Sequence, residues 1–162
     1  MKTKLLLAAL IATSFLLVAG CTYDFPLTAQ PTRKVEERLL GDWAAVDKDN
    51  RKTELMHVRK LDDSTYVVSM DNDISRVFHS DFAGVPFVSV QDLNAPERKY
   101  VYFVWRLSPD GSQLSLKSVS NKVVPEQTHD ATAIRQLIEK NLSNPALFNE
   151  EIQFARAKSS KF

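Results

Sequence analysis

The hydrophobic pattern of the chain changes period twice. Residues 5–17 form an apolar run broken only by Thr13 and Ser14. Between residues 43 and 118, short stretches rich in aromatic and β-branched residues alternate with polar turn clusters. From residue 130 to 142 (DATAIRQLIEKNL) the apolar positions Ile134, Leu137, Ile138 and Leu142 recur at helical spacing, which predicts an amphipathic helix. Asp130 or Thr128 caps its start and Asn144-Pro145 stops it.

The middle section predicts strands over Trp43–Val46, Thr53–Arg59, Thr65–Met70, Ile74–Ser80, Pro86–Asp92, Tyr100–Leu107 and Leu114–Ser118. Glu151–Ala157 is a candidate last strand, and Lys158–Phe162 a frayed tail. Asp47-Lys48-Asp49-Asn50, Asp62-Asp63-Ser64, Asp71-Asn72-Asp73 and Ser108-Pro109-Asp110-Gly111 supply the turns, with residue types that favour local hydrogen bonding or unusual φ. Turn signals at roughly 8–12 residue spacing indicate an all-antiparallel architecture. The expected fold is mainly β with two helices, an up-and-down barrel or sandwich of about seven or eight strands. The first helix is expected at Arg33–Leu40, capped by Thr32 and ended by Gly41; the second is the amphipathic C-terminal helix.

The N-terminal run has the build of a secretion signal. Lys2 and Lys4 form a positive start, Leu5–Leu17 an apolar middle, and Ala19 and Gly20 a small-residue end. The run is shorter than the roughly 20 apolar residues of a membrane-spanning helix. Val18-Ala19-Gly20-Cys21 resembles the lipobox of bacterial lipoproteins. That resemblance implies cleavage between Gly20 and Cys21, a thioether-linked diacylglyceryl group on Cys21, and a further acyl chain such as palmitate on the new amino terminus. An ordinary signal peptide with a coincidental cysteine is the first alternative reading, and an uncleaved anchor the second, which the small residues before Cys21 disfavour. Thr22 rather than Asp after the cysteine points to the outer membrane facing the periplasm, if the source cell has one.

The chain therefore divides into a signal peptide (1–20), the lipidated cysteine with a tether (21–31), and one β-rich domain (32–162). The tether reading rests on two prolines and the absence of periodicity in TYDFPLTAQP; packing of Tyr23, Phe25 and Leu27 onto the domain is the competing reading. Without residues 1–20 the chain has 142 residues, and Lys+Arg falls from 21 to 19 against 20 Asp+Glu. A near-neutral mixed surface argues against nucleic acid as a partner, which needs a concentrated basic patch. Cys21 is the single cysteine, so the domain holds no disulfide of its own and its stability must come from packing.

Candidate chemistry is sparse. His57 and His79 lie on different expected strands, and His129 stands apart, with no metal-type spacing. His79 and Asp81, two apart, are the one candidate acid–base pair, against the reading that they satisfy a strand end. Asp71-Asn72-Asp73 and Asp47-Lys48-Asp49-Asn50 offer oxygens for calcium, but neither runs on into the Gly and distal Glu of an EF-hand loop. No nucleophile elbow, zinc-protease signature or P-loop occurs, and there are four glycines in all. Catalytic and metal-binding residues and cofactors are accordingly expected to be none, apart from the covalent lipid on Cys21.

Gly41-Asp42-Trp43 after a short helix resembles the Gly-x-Trp start of lipocalin-like proteins. The resemblance implies an up-and-down barrel with Trp43 plugging one end and an apolar ligand entering at the other. It makes Trp43, Phe78, Phe87, Tyr102 and Trp105 the candidate cavity residues. The competing reading has Gly41 as a helix C-cap and Trp43 as an ordinary core residue. The stretches PTRKVEERLLGDW (31–43), PFVSVQDLN (86–94) and NPALF (144–148) resemble uncharacterised small bacterial lipoproteins. The expected function is a non-catalytic interaction or assembly role in the cell envelope, with an envelope protein as partner. The alternative is binding of a small apolar ligand, and a hydrolytic enzyme ranks third.

Overall fold

The computed structural model describes residues 22–47 and 52–157. The signal segment, Cys21, most of the first expected turn and the tail 158–162 lie outside the described residues.

Eight strands follow one another as a closed antiparallel barrel, each paired with its neighbour in sequence and the last with the first. They are β1 (Gly41–Val46), β2 (Lys52–Lys60), β3 (Thr65–Met70), β4 (Asp73–His79), β5 (Phe87–Asp92), β6 (Tyr100–Leu107), β7 (Gln113–Ser118) and β8 (Ile152–Arg156). The fold is thus the barrel, not the sandwich. Closure leaves no unpaired edge.

Because successive side chains point to opposite faces, each strand divides cleanly. Tyr66, Val68 and Met70 of β3, Val88 and Val90 of β5, and Phe103 and Trp105 of β6 face inward. Phe87 and Tyr102 face outward, into a second apolar cluster. This outer cluster is covered by α1 (Ala131–Lys140), which buries Ile134 and Ile138 and is capped by the Asp130 carboxylate accepting from the Ala133 N–H at 2.6 Å. Two apolar layers, one inside the barrel and one under α1, explain why β6 is hydrophobic on both faces and why Phe87 of β5 is buried on the outer side.

Two expectations are corrected. The helix expected over Arg33–Leu40 is only a 3-10 turn, Glu37–Leu39, so the described residues form one α-helix and two 3-10 turns rather than two helices. Its backbone donors are taken elsewhere: the Val35 N–H bonds Asp63 O at 2.9 Å and the Glu36 N–H bonds the Tyr66 hydroxyl at 2.6 Å. The segment before it is no free tether. Tyr23 and Leu27 are each 1 % exposed, and residues 22–31 run along the outside of the barrel, while Phe25 stays exposed.

Candidate functional site

One end of the barrel is sealed by the segment before β1. Leu39 turns into the core and Trp43 is wholly buried. The Trp43 indole N–H donates to Leu39 O at 2.9 Å, tying the seal to the first strand. From the far end of the chain, the Arg156 guanidinium lies 4.3 Å from the Trp43 ring centroid. It donates to Leu40 O at 3.0 Å, to Arg38 O, and to Gly111 O at 3.0 Å. One side chain thus satisfies the carbonyls of the 3-10 turn and clamps it to β8 and the β6–β7 turn. Gly41 begins β1 rather than ending a helix. Its φ is +128°, and a Cβ there would stand 2.8 Å from Arg156 Nη1, so both backbone conformation and close approach call for glycine.

Above this floor the barrel holds a void of about 150 Å³. Its wall is apolar along almost its whole length, including Met56, Val58, Val77, Leu114 and Phe154; Asp73 and Ser75 are polar, and Tyr66 and Trp105 each carry one polar atom, the Trp105 Nε1 being buried without a hydrogen-bond partner among the described residues. Asp73 starts β4 at the end opposite Trp43 and is exposed. The void therefore reaches towards solvent at that end, between the β3–β4 and β5–β6 turns.

The five residues expected to line a cavity take three positions. Trp105 is in the wall. Trp43 belongs to the same core cluster but lies at the sealed end, outside the wall. Phe87 and Tyr102 point out of the barrel into the cluster beneath α1. Phe78 also points outward, with the Arg76 guanidinium 5.5 Å from its ring centroid. The inward aliphatic and methionine residues carry most of the wall instead.

His79 and Asp81 are not brought together as a pair. His79 is fully buried and its Nε2 shares a hydrogen bond with the Tyr66 hydroxyl at 2.7 Å. That hydroxyl also accepts from the Glu36 N–H, and His79 Nδ1 has no hydrogen-bond partner among the described residues. Asp81 turns instead to Arg33 at 3.1 Å, and Arg33 also covers Trp105 at 5.1 Å. Burial, helped by the Arg33 charge, pushes His79 down to about 4. Burial pushes the Tyr66 hydroxyl up to about 12. Both groups are neutral at pH 7, and together they tie the sealing segment to β3 and β4.

A stability effect follows. The unfolded chain takes up a proton on His79 near pH 6.5 and the folded one only near pH 4, so stability should fall as pH drops through that window. The limiting loss is about 3 kcal/mol. Denaturant midpoints at pH 7 and pH 4.5 should therefore draw together in His79→Gln relative to the unsubstituted protein. An equal drop in both would remove His79 as the cause.

His57 and His129 sit on the exterior, each on a carboxylate: His57 on Asp42 at 2.8 Å, which also takes Arg59, and His129 on Asp24 at 2.7 Å. These partners hold both carboxyls below the usual range. Among the described residues no three His, Cys, Asp or Glu side chains gather as a metal ion would require. Comparison with protein-family models, with curated proteins and with solved structures finds no match to this chain.

Proposed function

We propose that this chain is a lipid-anchored envelope protein whose barrel binds a small apolar molecule. The observation that carries the binding half is the apolar void inside the barrel. A void of about 150 Å³ is smaller than the ~300–1,000 Å³ pockets of drug-sized ligands. It matches the ~150 Å³ apolar cavity that stays dry and takes up benzene. The fitting ligand is therefore slim and uncharged along its length, such as a single short alkyl segment or one ring. Met56 and Met70 in the wall can adapt to its shape. The anchoring half is supported by the signal-like leader and the lipobox-like Val18-Ala19-Gly20-Cys21.

The assembly role, ranked first on sequence, has less to support it. It calls for a contiguous apolar patch. Among the described residues the large exposed apolar ones are Phe25, Leu55, Leu61 and Ile74. Leu61 follows β2 at the sealed end, whereas Ile74 sits at the open end. Scattered single residues of this kind are ordinary.

The test is a calorimetric titration of the detergent-solubilised protein with toluene, a one-ring probe, read against protein-free micelles. Val90→Phe, which adds a ring to the wall, should weaken the probe by about tenfold or more, near 1.4 kcal/mol. Val68→Phe should do the same from β3, two strands away. Circular dichroism should show the barrel retained in at least one of the two. Unchanged probe affinity in a folded variant would refute the cavity as the binding site.

A further inference from the structure

The segment after Cys21 is pinned at a definite point of the barrel. The Tyr23 N–H bonds Tyr100 O at 2.8 Å, and the Tyr100 N–H returns the bond to Tyr23 O at 2.8 Å. The Tyr23 ring stacks on Tyr102 with centroids 4.6 Å apart and planes within 2°. Its hydroxyl donates to Val124 O at 2.8 Å, across to the segment leading into α1. Backbone, ring and hydroxyl are all engaged, and the residue is 1 % exposed.

That point lies at the open end. Tyr100 begins β6 opposite Gln91, near the end of β5, and this is the end at which Asp73 begins β4. From there the chain runs towards the sealed end: the Leu27 N–H bonds Ser89 Oγ at 3.1 Å and the Thr32 N–H bonds His79 O at 2.9 Å. It then passes into the seal around Leu39. Only the direction before Tyr23 leads away from the barrel, and it leaves from the rim of the mouth.

Lengths decide the orientation. Cys21 precedes Tyr23 by two residues, which reach at most ~7 Å. A strand of eight residues such as β6 is ~27 Å long, and ~20 Å along the axis after the usual barrel tilt. A lipid on Cys21 cannot lie at the sealed end, because the leash is about a third of the distance. We infer that the lipidated protein stands mouth-down, with the open end of the barrel against the bilayer that holds its acyl chains. The cavity then exchanges its apolar ligand with that bilayer directly, without passage through water. This inference rests on the anchoring and binding readings proposed above, and adds the face that meets the membrane.

The experiment uses the full lipidated chain in vesicles of phosphatidylethanolamine and phosphatidylglycerol. Asn72→Cys, in the β3–β4 turn, and Leu61→Cys, in the β2–β3 turn, each receive a thiol-linked fluorophore. A phospholipid spin-labelled at its headgroup should quench the Asn72→Cys probe severalfold more than the Leu61→Cys probe. Equal or reversed quenching would overturn the orientation. Inserting ten Gly/Ser residues between Cys21 and Thr22 should erase the difference, and its persistence would overturn the short-leash argument. Failure of the anchoring reading shows separately, as labelling of the unsubstituted chain at Cys21 and loss of flotation with vesicles. Failure of the binding reading shows as no uptake of toluene in detergent beyond that of protein-free micelles.

Discussion

Trp43→Ala should destabilise the barrel by about 3–5 kcal/mol, the usual cost of deleting a large buried aromatic. The indole is 0 % exposed, donates to Leu39 O, and carries Arg156 on its face. Alanine removes the packing and the cation–π contact together, the latter about 0.5–2 kcal/mol on its own. It also unseats Arg156, whose three carbonyl partners span the 3-10 turn and the β6–β7 turn. Against a typical total of about 5–15 kcal/mol, such a loss approaches unfolding. Trp43→Phe keeps most of the volume and loses the N–H to Leu39 O, so its cost should be smaller. Urea unfolding followed by circular dichroism measures both. A loss below about 1 kcal/mol for Trp43→Ala, within the range of ordinary substitutions, would show that the seal does not depend on this residue.

The strands and α1 were readable from the sequence because period and punctuation agree. Tyr66, Val68 and Met70 alternate with polar or outward residues, and Asp71-Asn72 stops them. Inside and outside were not readable for β5 and β6. In YVYFVWRL both faces are apolar, because Phe103 and Trp105 meet the void while Tyr100 and Tyr102 meet the N-terminal segment and the cluster under α1. A period of two gives two faces but not which of them is buried in which layer. Phe87 and Tyr102, expected in a cavity, therefore sit one step out of phase with it, whereas Trp105 is in phase. The 3-10 turn was overestimated as a helix for a different reason. Val35 and Leu39 suit a helical stripe, but the donors of Val35 and Glu36 go to Asp63 and Tyr66, partners about 30 residues away that no local pattern contains. Arg156 was missed because its role exists only in three dimensions; it reaches back 116 residues to Leu40. One local signal was present: Ile152, Phe154 and Arg156 share a face of β8, so a charge at the end of an inward row demanded buried partners.

Cys21→Ala should move the protein almost completely from the membrane fraction to the soluble extracytoplasmic fraction, while leaving the barrel intact. Each buried methylene contributes about 0.8 kcal/mol, yet a single acyl chain still binds only reversibly. The diacylglyceryl group proposed on Cys21 would supply two chains through its thioether, so its loss would remove the anchor as a whole rather than weaken it by degrees. Among the described residues no helix is long and apolar enough to cross a membrane, and the near-balanced charge of the chain without residues 1–20 supplies little attraction to anionic lipid. The fold should not follow the anchor, because among the described residues the contacts that dock the N-terminal segment begin at Tyr23, downstream of the substituted residue. Fractionation, incorporation of an alkyne-tagged palmitate and a thermal melt separate these two claims. Persistent palmitate labelling of Cys21→Ala would remove Cys21 as the attachment site. A lowered melting temperature would instead show that residue 21 contributes to the packing that Tyr23 begins, and that the leash between lipid and barrel is shorter still.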